Sequence, residues 1–177
     1  VTRPRIAIVL VLLTCIGCTE TSSDEVSVPT AAPACNPLAA ELDCLLPYPS
    51  NVFLIADETL PSGRRVDLPE SVRPHDVNGT ALDLATLYPW DGFSPGTQIL
   101  ALLETAVDPA NLPIYDPERP ETQLRSLNAD NPTVLLDTAT GQRVLHLAEQ
   151  DPRKTDDQHR ALIIRPLARL VPQRRYI

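Results

Sequence analysis

The sequence predicts a mainly β domain, an antiparallel immunoglobulin-like sandwich with long proline-rich loops and one or two short helices. Three observations lead there. Nineteen prolines in 177 residues, about twice the usual share, leave few windows long enough for long helices. Short apolar or β-branched runs recur between turn signals along the chain. A composition 43% hydrophobic and 21% charged is that of a chain able to bury a core rather than of a disordered one.

The first segment reads as an export signal. Val1 to Arg5 carries two positive charges and no acid, and Ile6 to Leu13 is an unbroken apolar run ending before Thr14-Cys15-Ile16-Gly17-Cys18. That run is shorter than the roughly 20 residues a membrane-spanning helix needs. Gly17-Cys18 is similar to a bacterial lipobox, in which the cysteine is lipidated and becomes the new amino terminus, although Cys15 stands where Leu is usual. Residues 1–17 are therefore expected to be a lipoprotein signal peptide with Cys18 as its lipidation site; simple cleavage after a small residue is the alternative. The partner so implied is membrane lipid, held by acyl chains at about 0.8 kcal/mol per buried methylene. Thr19 in the next position lacks the usual inner-membrane retention signal, so an outer-membrane or cell-surface location is expected. Residues 18–34 are polar, small and free of aromatics, a flexible tether.

Removal of residues 1–17 leaves 13 basic and 23 acidic side chains, a charge of -10. Such a surface opposes nucleic-acid binding, for want of a basic patch to release counterions.

Residues 35–177 are the expected sandwich domain. With Cys15 and Cys18 assigned to the signal, Cys35 and Cys44 remain as a pair; in an oxidising compartment a disulfide is expected, with two buried thiols as the alternative. Asn36-Pro37 offers a cap and a first helical position for a short helix to Leu42. Strands are expected at Val52 to Ile55, Arg65 to Leu68, Thr97 to Leu103, Val134 to Leu136, Arg143 to Leu147 and Ala161 to Ile164. Asp137 and Gly141 supply turn chemistry for a hairpin over 134–147, and a second turn is read at Asp57 to Gly63. Ala81 to Tyr88 is read as two helical turns stopped by Pro89, with an alternating, strand-like pattern as the alternative. Segments 104–132 and 148–159 are expected to be surface loops. Arg174-Arg-Tyr-Ile177 begins a β-like run, so the domain is expected to be truncated at its carboxyl end.

No constellation for catalysis converges. Gly92-Phe93-Ser94-Pro95-Gly96 matches the nucleophile elbow of α/β-hydrolases, but the elbow's oxyanion hole uses the N–H of the residue after the nucleophile, and Pro95 has none. No catalytic residue, metal site or cofactor is expected. His75, His146 and His159 are each read as solvated, His146 because it alternates with Leu145 and Leu147 on a strand. Asp151, Asp156 and Asp157 lack calcium-loop spacing. Tyr88, Trp90 and Phe93 are candidate contact residues, with core packing as the alternative.

Several segments taken together carry a resemblance: Cys35-Asn-Pro-Leu38, Cys44-Leu-Leu-Pro-Tyr-Pro-Ser-Asn-Val-Phe53, Gly63-Arg-Arg-Val66, Asp91-Gly-Phe-Ser-Pro-Gly96, Asp137-Thr-Ala-Thr-Gly141, Arg160-Ala-Leu-Ile-Ile-Arg-Pro166 and Arg175-Tyr-Ile177. In this order they resemble the amino-terminal region of exported bacterial proteins of the virulence-factor lipase N-terminal family. The resemblance implies a β-sandwich ahead of a hydrolase-like domain that would hold the catalytic residues, and hence a non-catalytic structural module here. The other expectation is a stand-alone surface lipoprotein that binds a glycan, a lipid or a protein partner.

Overall fold

A computed structural model describes residues 29–39, 43–105, 107–156 and 159–177. The signal segment, Cys18 and most of the tether lie outside the described residues. Among the described residues no helix is long and apolar enough to cross a membrane. The first described residue, Pro29, already contacts the folded part: its carbonyl accepts the Ala56 N–H at 2.9 Å.

The architecture is mainly β, built from small antiparallel sheets. Leu54–Ala56 (β1) pairs with Arg64–Val66 (β2) across the expected turn, where Gly63 takes φ 68°. That left-handed conformation is open to glycine without a steric cost. Asp57 fixes the turn by accepting the Thr59 N–H at 3.0 Å. A three-stranded sheet has the order β3, β7, β6, formed by Ile99–Ala101 (β3), Leu162–Pro166 (β7) and His146–Gln150 (β6). Both its edges are covered. Leu100 exchanges two backbone hydrogen bonds with Tyr48, and Ala148 donates to the Pro113 carbonyl at 3.2 Å. Leu136–Asp137 (β4) and Gln142–Arg143 (β5) form the third sheet. Tyr176 bridges to Asp137, and Leu136 and Ile177 exchange hydrogen bonds of 2.7 and 3.1 Å, so the last residues pair with β4.

Two expected elements are shorter than the pattern implied. Leu84–Leu87 (α1) is a single turn whose cap, Asp83, accepts from the Ala85 and Thr86 N–H groups, and Pro89 follows its end. Asn36 to Ala39 is a turn, closed by Ala39 N–H on the Asn36 carbonyl at 2.8 Å; the rest of the expected 37–42 helix is outside the described residues. The disulfide is formed between Cys35 and Cys44.

Two expectations are corrected. The expected strand 143–147 is broken after Arg143: β5 pairs only with β4, and the chain then changes partner to β7 from His146 onward. Segment 104–132 is not a bare surface loop. It holds 3-10 helices at Pro109–Asn111 and Pro120–Leu127 and buries Leu112, Pro113, Thr122 and Ser126. The other expected loop begins only after β6 ends at Gln150.

The apolar core is thin. Among the described residues it consists of Leu46, Phe53, Leu54, Ile55, Val66, Leu112, Leu135, Ala148 and Ile163. Phe53 is fully enclosed, a burial that stabilises by about 1.5–3 kcal/mol. Buried polar side chains are almost as numerous: Asn36, Thr122, Ser126, Asn131, Thr133, Asp137, His146 and Asp151. Each must find partners inside the protein, because an unpaired buried polar group costs about 1–3 kcal/mol.

Candidate functional site

The aromatic residues singled out in the sequence lie along one segment that leaves α1 and returns to β2. Pro89 ends the helix, and the Trp90 carbonyl accepts the Val66 N–H at 2.8 Å. Ser62 Oγ donates to the Asp91 carbonyl at 3.1 Å, tying the same segment to the β1–β2 turn. Thus anchored by its main chain, the segment turns two rings outward. Tyr88 and Trp90 stack with centroids 6.0 Å apart and planes 20° from parallel, and are 61% and 43% exposed. These two rings therefore lie outside the core. Phe93 departs from them: it is half-buried and meets the Tyr48 ring edge-on at 5.4 Å. Burial pushes the Tyr48 phenol above its ordinary pKa of 10.0.

The glycine-flanked serine follows as a turn. Ser94 Oγ accepts the Gly96 N–H at 3.2 Å, and the Ser94 carbonyl accepts the Thr97 N–H at 2.9 Å. The segment enters from an irregular stretch and leaves into β3, so no strand runs into it and no helix leaves it. An open groove of about 470 Å³ lies beside it, lined by Pro95, Gly96, Pro166, Leu167, Ala168 and Arg169; Ser94 is not part of its lining.

The histidines are dispersed. His75 is exposed and its backbone bridges to Ala81. His159 is exposed, and its Nδ1 pairs with the Asp156 carboxylate. The outward placement of His146 is overturned: its side chain is fully buried. Alternation assigned the leucines to the core, but the buried face of β6 is that of His146 and Ala148, packed against the Pro120–Leu127 helix, while Leu145 and Leu147 are half-buried.

A polar network surrounds it. His146 N–H donates to Ser126 Oγ at 3.1 Å, Nδ1 lies 2.8 Å from the Val144 carbonyl, and Nε2 lies 3.0 Å from Thr133 Oγ1. Asn131 Oδ1 stands 2.9 Å from Thr133 Oγ1 and accepts the Thr133 N–H at 3.1 Å. Burial pushes the imidazole below its ordinary pKa of 6.5; the hydrogen bond to the Val144 carbonyl opposes this, and the Arg143 charge adds to it. This cluster was missed in the sequence, because Ser126, Asn131 and Thr133 come from a stretch with no apolar period. A second open groove, of about 310 Å³, is lined by Asn111, Arg125, Asn128, Asp130, Asn131 and Pro132.

The acidic loop turns inward upon its own arginine. Asp151 accepts from Arg153 through the backbone N–H and two guanidinium nitrogens at 3.0 to 3.1 Å, which holds its carboxyl below the ordinary value. Among the described residues no group of three or more His, Cys, Asp or Glu is placed to hold a metal ion.

Comparison with protein-family models, with curated proteins and with solved structures finds no match to this chain.

Proposed function

We propose that the chain is the non-catalytic amino-terminal module of a larger exported protein resembling bacterial lipases and esterases, held at the outer surface by a lipid on Cys18. In this reading its strands belong to an immunoglobulin-like sandwich, and its work is to space, and to pack against, a hydrolase-like domain. The observation that carries the reading is the ratio of exposed to buried apolar side chains. Leu38, Val77, Leu87, Tyr88, Ile114, Tyr115, Leu124 and Ile177 are all exposed large hydrophobics around a thin core. An inter-domain contact would remove such side chains from water. The order of the motifs along the sequence, and a Pro95 that has no N–H to offer an oxyanion, also support it.

A second reading is favoured by the Tyr88–Trp90 stack. Two anchored rings with exposed faces suit a stand-alone surface lipoprotein that binds a glycan, a lipid or a protein partner, with Phe93 holding the same segment against Tyr48.

The test is the intact size of the native product in membrane fractions, read by immunoblot and mass spectrometry. A product far larger than 19.4 kDa is expected. A lipid-shifted product near that mass would overturn the module reading and leave the binding one. Ester hydrolysis by the purified chain that disappears in Ser94→Ala would overturn both.

A further inference from the structure

The His146 network holds one proton fewer than its geometry can use. A carbonyl only accepts, so the contact of Nδ1 with the Val144 carbonyl places a proton on Nδ1. In the neutral ring Nε2 is then an acceptor, and the Thr133 hydroxyl must donate to it. That hydroxyl has one hydrogen. While it serves Nε2, it cannot also serve Asn131 Oδ1, 2.9 Å away on its other side. Turning the Asn131 amide does not help, since its NH2 would then face the Thr133 N–H. With a second proton, on Nε2, the conflict disappears: Nε2–H donates to Thr133 Oγ1, and the hydroxyl turns to Asn131.

The enclosure offers that charge no compensation from the elements packed against it. The Pro120–Leu127 helix presents Ser126 to the His146 backbone, β7 places Pro166 opposite it, and segment 131–133 offers two uncharged side chains. Among the described residues the charged group that acts on the ring is Arg143, a cation, and no carboxylate does; the Arg143 Nη2 donates to the Ala129 carbonyl, while the buried Nη1 has no hydrogen-bond partner among the described residues. The exposed Glu121 and Arg125 of the helix are not among the groups acting on it. A proton can thus be received without orphaning a hydrogen bond, yet it adds a second cation to a closed site. Opening the site to water relieves it.

We propose that His146 is an acid-operated release: protonation of Nε2 within this enclosure loosens the hold of the Pro120–Leu127 helix and of residues 131–133 on β6. A base whose pKa is lower in the closed form than in the opened form shifts the balance toward opening as pH falls. The effect is absent above the ordinary value of 6.5, grows below it, and levels off once the closed form is itself protonated. Each unit of difference between the two forms is worth up to about tenfold in the opening equilibrium.

The test is amide hydrogen exchange on the full chain from pH 7.5 to 5, corrected for intrinsic rates, with the His146 ring followed by NMR. Protection at 120–133 and 146–148 is expected to fall with acid, while β1 and β2 keep theirs. His146→Gln is expected to flatten the response. Should that variant not fold, two others decide. Thr133→Val removes the acceptor for Nε2–H and is expected to lower the ring's titration midpoint and deepen the acid loss. Asn131→Asp puts a carboxylate behind the hydroxyl and is expected to raise the midpoint and shrink the loss. A wild-type ring that titrates at or above 6.5, or protection that follows one pH course in wild type and Thr133→Val, overturns the proposal.

Discussion

The carbonyl of Trp90 accepts the N–H of Val66 at 2.8 Å, so the single tryptophan is fastened to β2 by its backbone while its indole lies against Tyr88 in contact with solvent. A ring so placed is exposed without being loose. Collisional quenching should therefore reach the indole readily in the native protein, while fluorescence anisotropy stays that of a fixed side chain. Tyr88→Ala is expected to raise quenching further, by uncovering the stacked face. An indole shielded from iodide and acrylamide would exclude this surface as a contact site.

Asn36 joins the disulfide loop to the next segment. It is buried, its backbone N–H reaches the Cys44 carbonyl at 2.8 Å, its Nδ2 donates to the Pro47 carbonyl at 2.9 Å, and its Oδ1 accepts the Leu38 N–H at 3.0 Å. Asn36→Ala removes both side-chain bonds and leaves their partners to find others, a loss of about 1–3 kcal/mol. Reduction of Cys35–Cys44, which closes a short loop, is expected to cost about 2–3 kcal/mol in the chain-entropy account. Urea titrations of wild type and variant, oxidised and reduced, measure both; a variant as stable as wild type would show that water replaces the lost partners.

Phe53 is fully buried among few other large apolar side chains. Phe53→Ala is expected to cost about 3–5 kcal/mol, a large part of the total for a domain of this size. The variant should unfold well below the wild-type melting temperature, and Phe53→Leu should recover most of the difference. A cavity variant that melts with wild type would mean that this part of the core is not cooperative with the rest.

How far the sequence could be read follows from where each element gets its partners. Both tight turns were legible, since Gly63 and Gly141 take φ 68° next to Asp57 and Asp137, whose side chains fix the turns locally. Of α1 only the stop before Pro89 was legible; Asp83, read as lying inside two turns from Ala81, is instead the cap of a single turn. The His146 cluster was not legible. Its covering helix, Pro120–Leu127, buries Thr122 and Ser126 and exposes Leu124 and Leu127, the reverse of what hydrophobic periodicity assigns. A polar face can turn inward only when its hydroxyls find acceptors, and those lie on Ile114, Arg119 and Gln123. The change of partner after β5 likewise depends on β7, about twenty residues on.

Asp137 is the remaining point where one side chain holds two distant segments. Burial alone would raise its carboxyl, but the Ala139 N–H, at 2.9 Å, and the guanidinium of Arg174, at 2.6 Å, together hold it below the ordinary 3.8. The charge stabilises the fold because the unfolded chain binds its proton more tightly. That contribution is full above pH 3.8 and is lost as pH falls through the lower folded value. The consequence is local, since Arg174 precedes the residues that pair with β4. Exchange of the Ile177 N–H, bonded to the Leu136 carbonyl, should stay slow from pH 7 to 5 and speed up relative to intrinsic rates below about pH 4. Asp137→Asn removes the charge at every pH, so its Ile177 exchange should already be fast at pH 7 and lack the acid step. Arg174→Gln should move the step upward, toward 3.8. If both variants protect Ile177 as wild type does, Tyr176 and Ile177 are held by their backbone bonds to β4 and not by the ion pair.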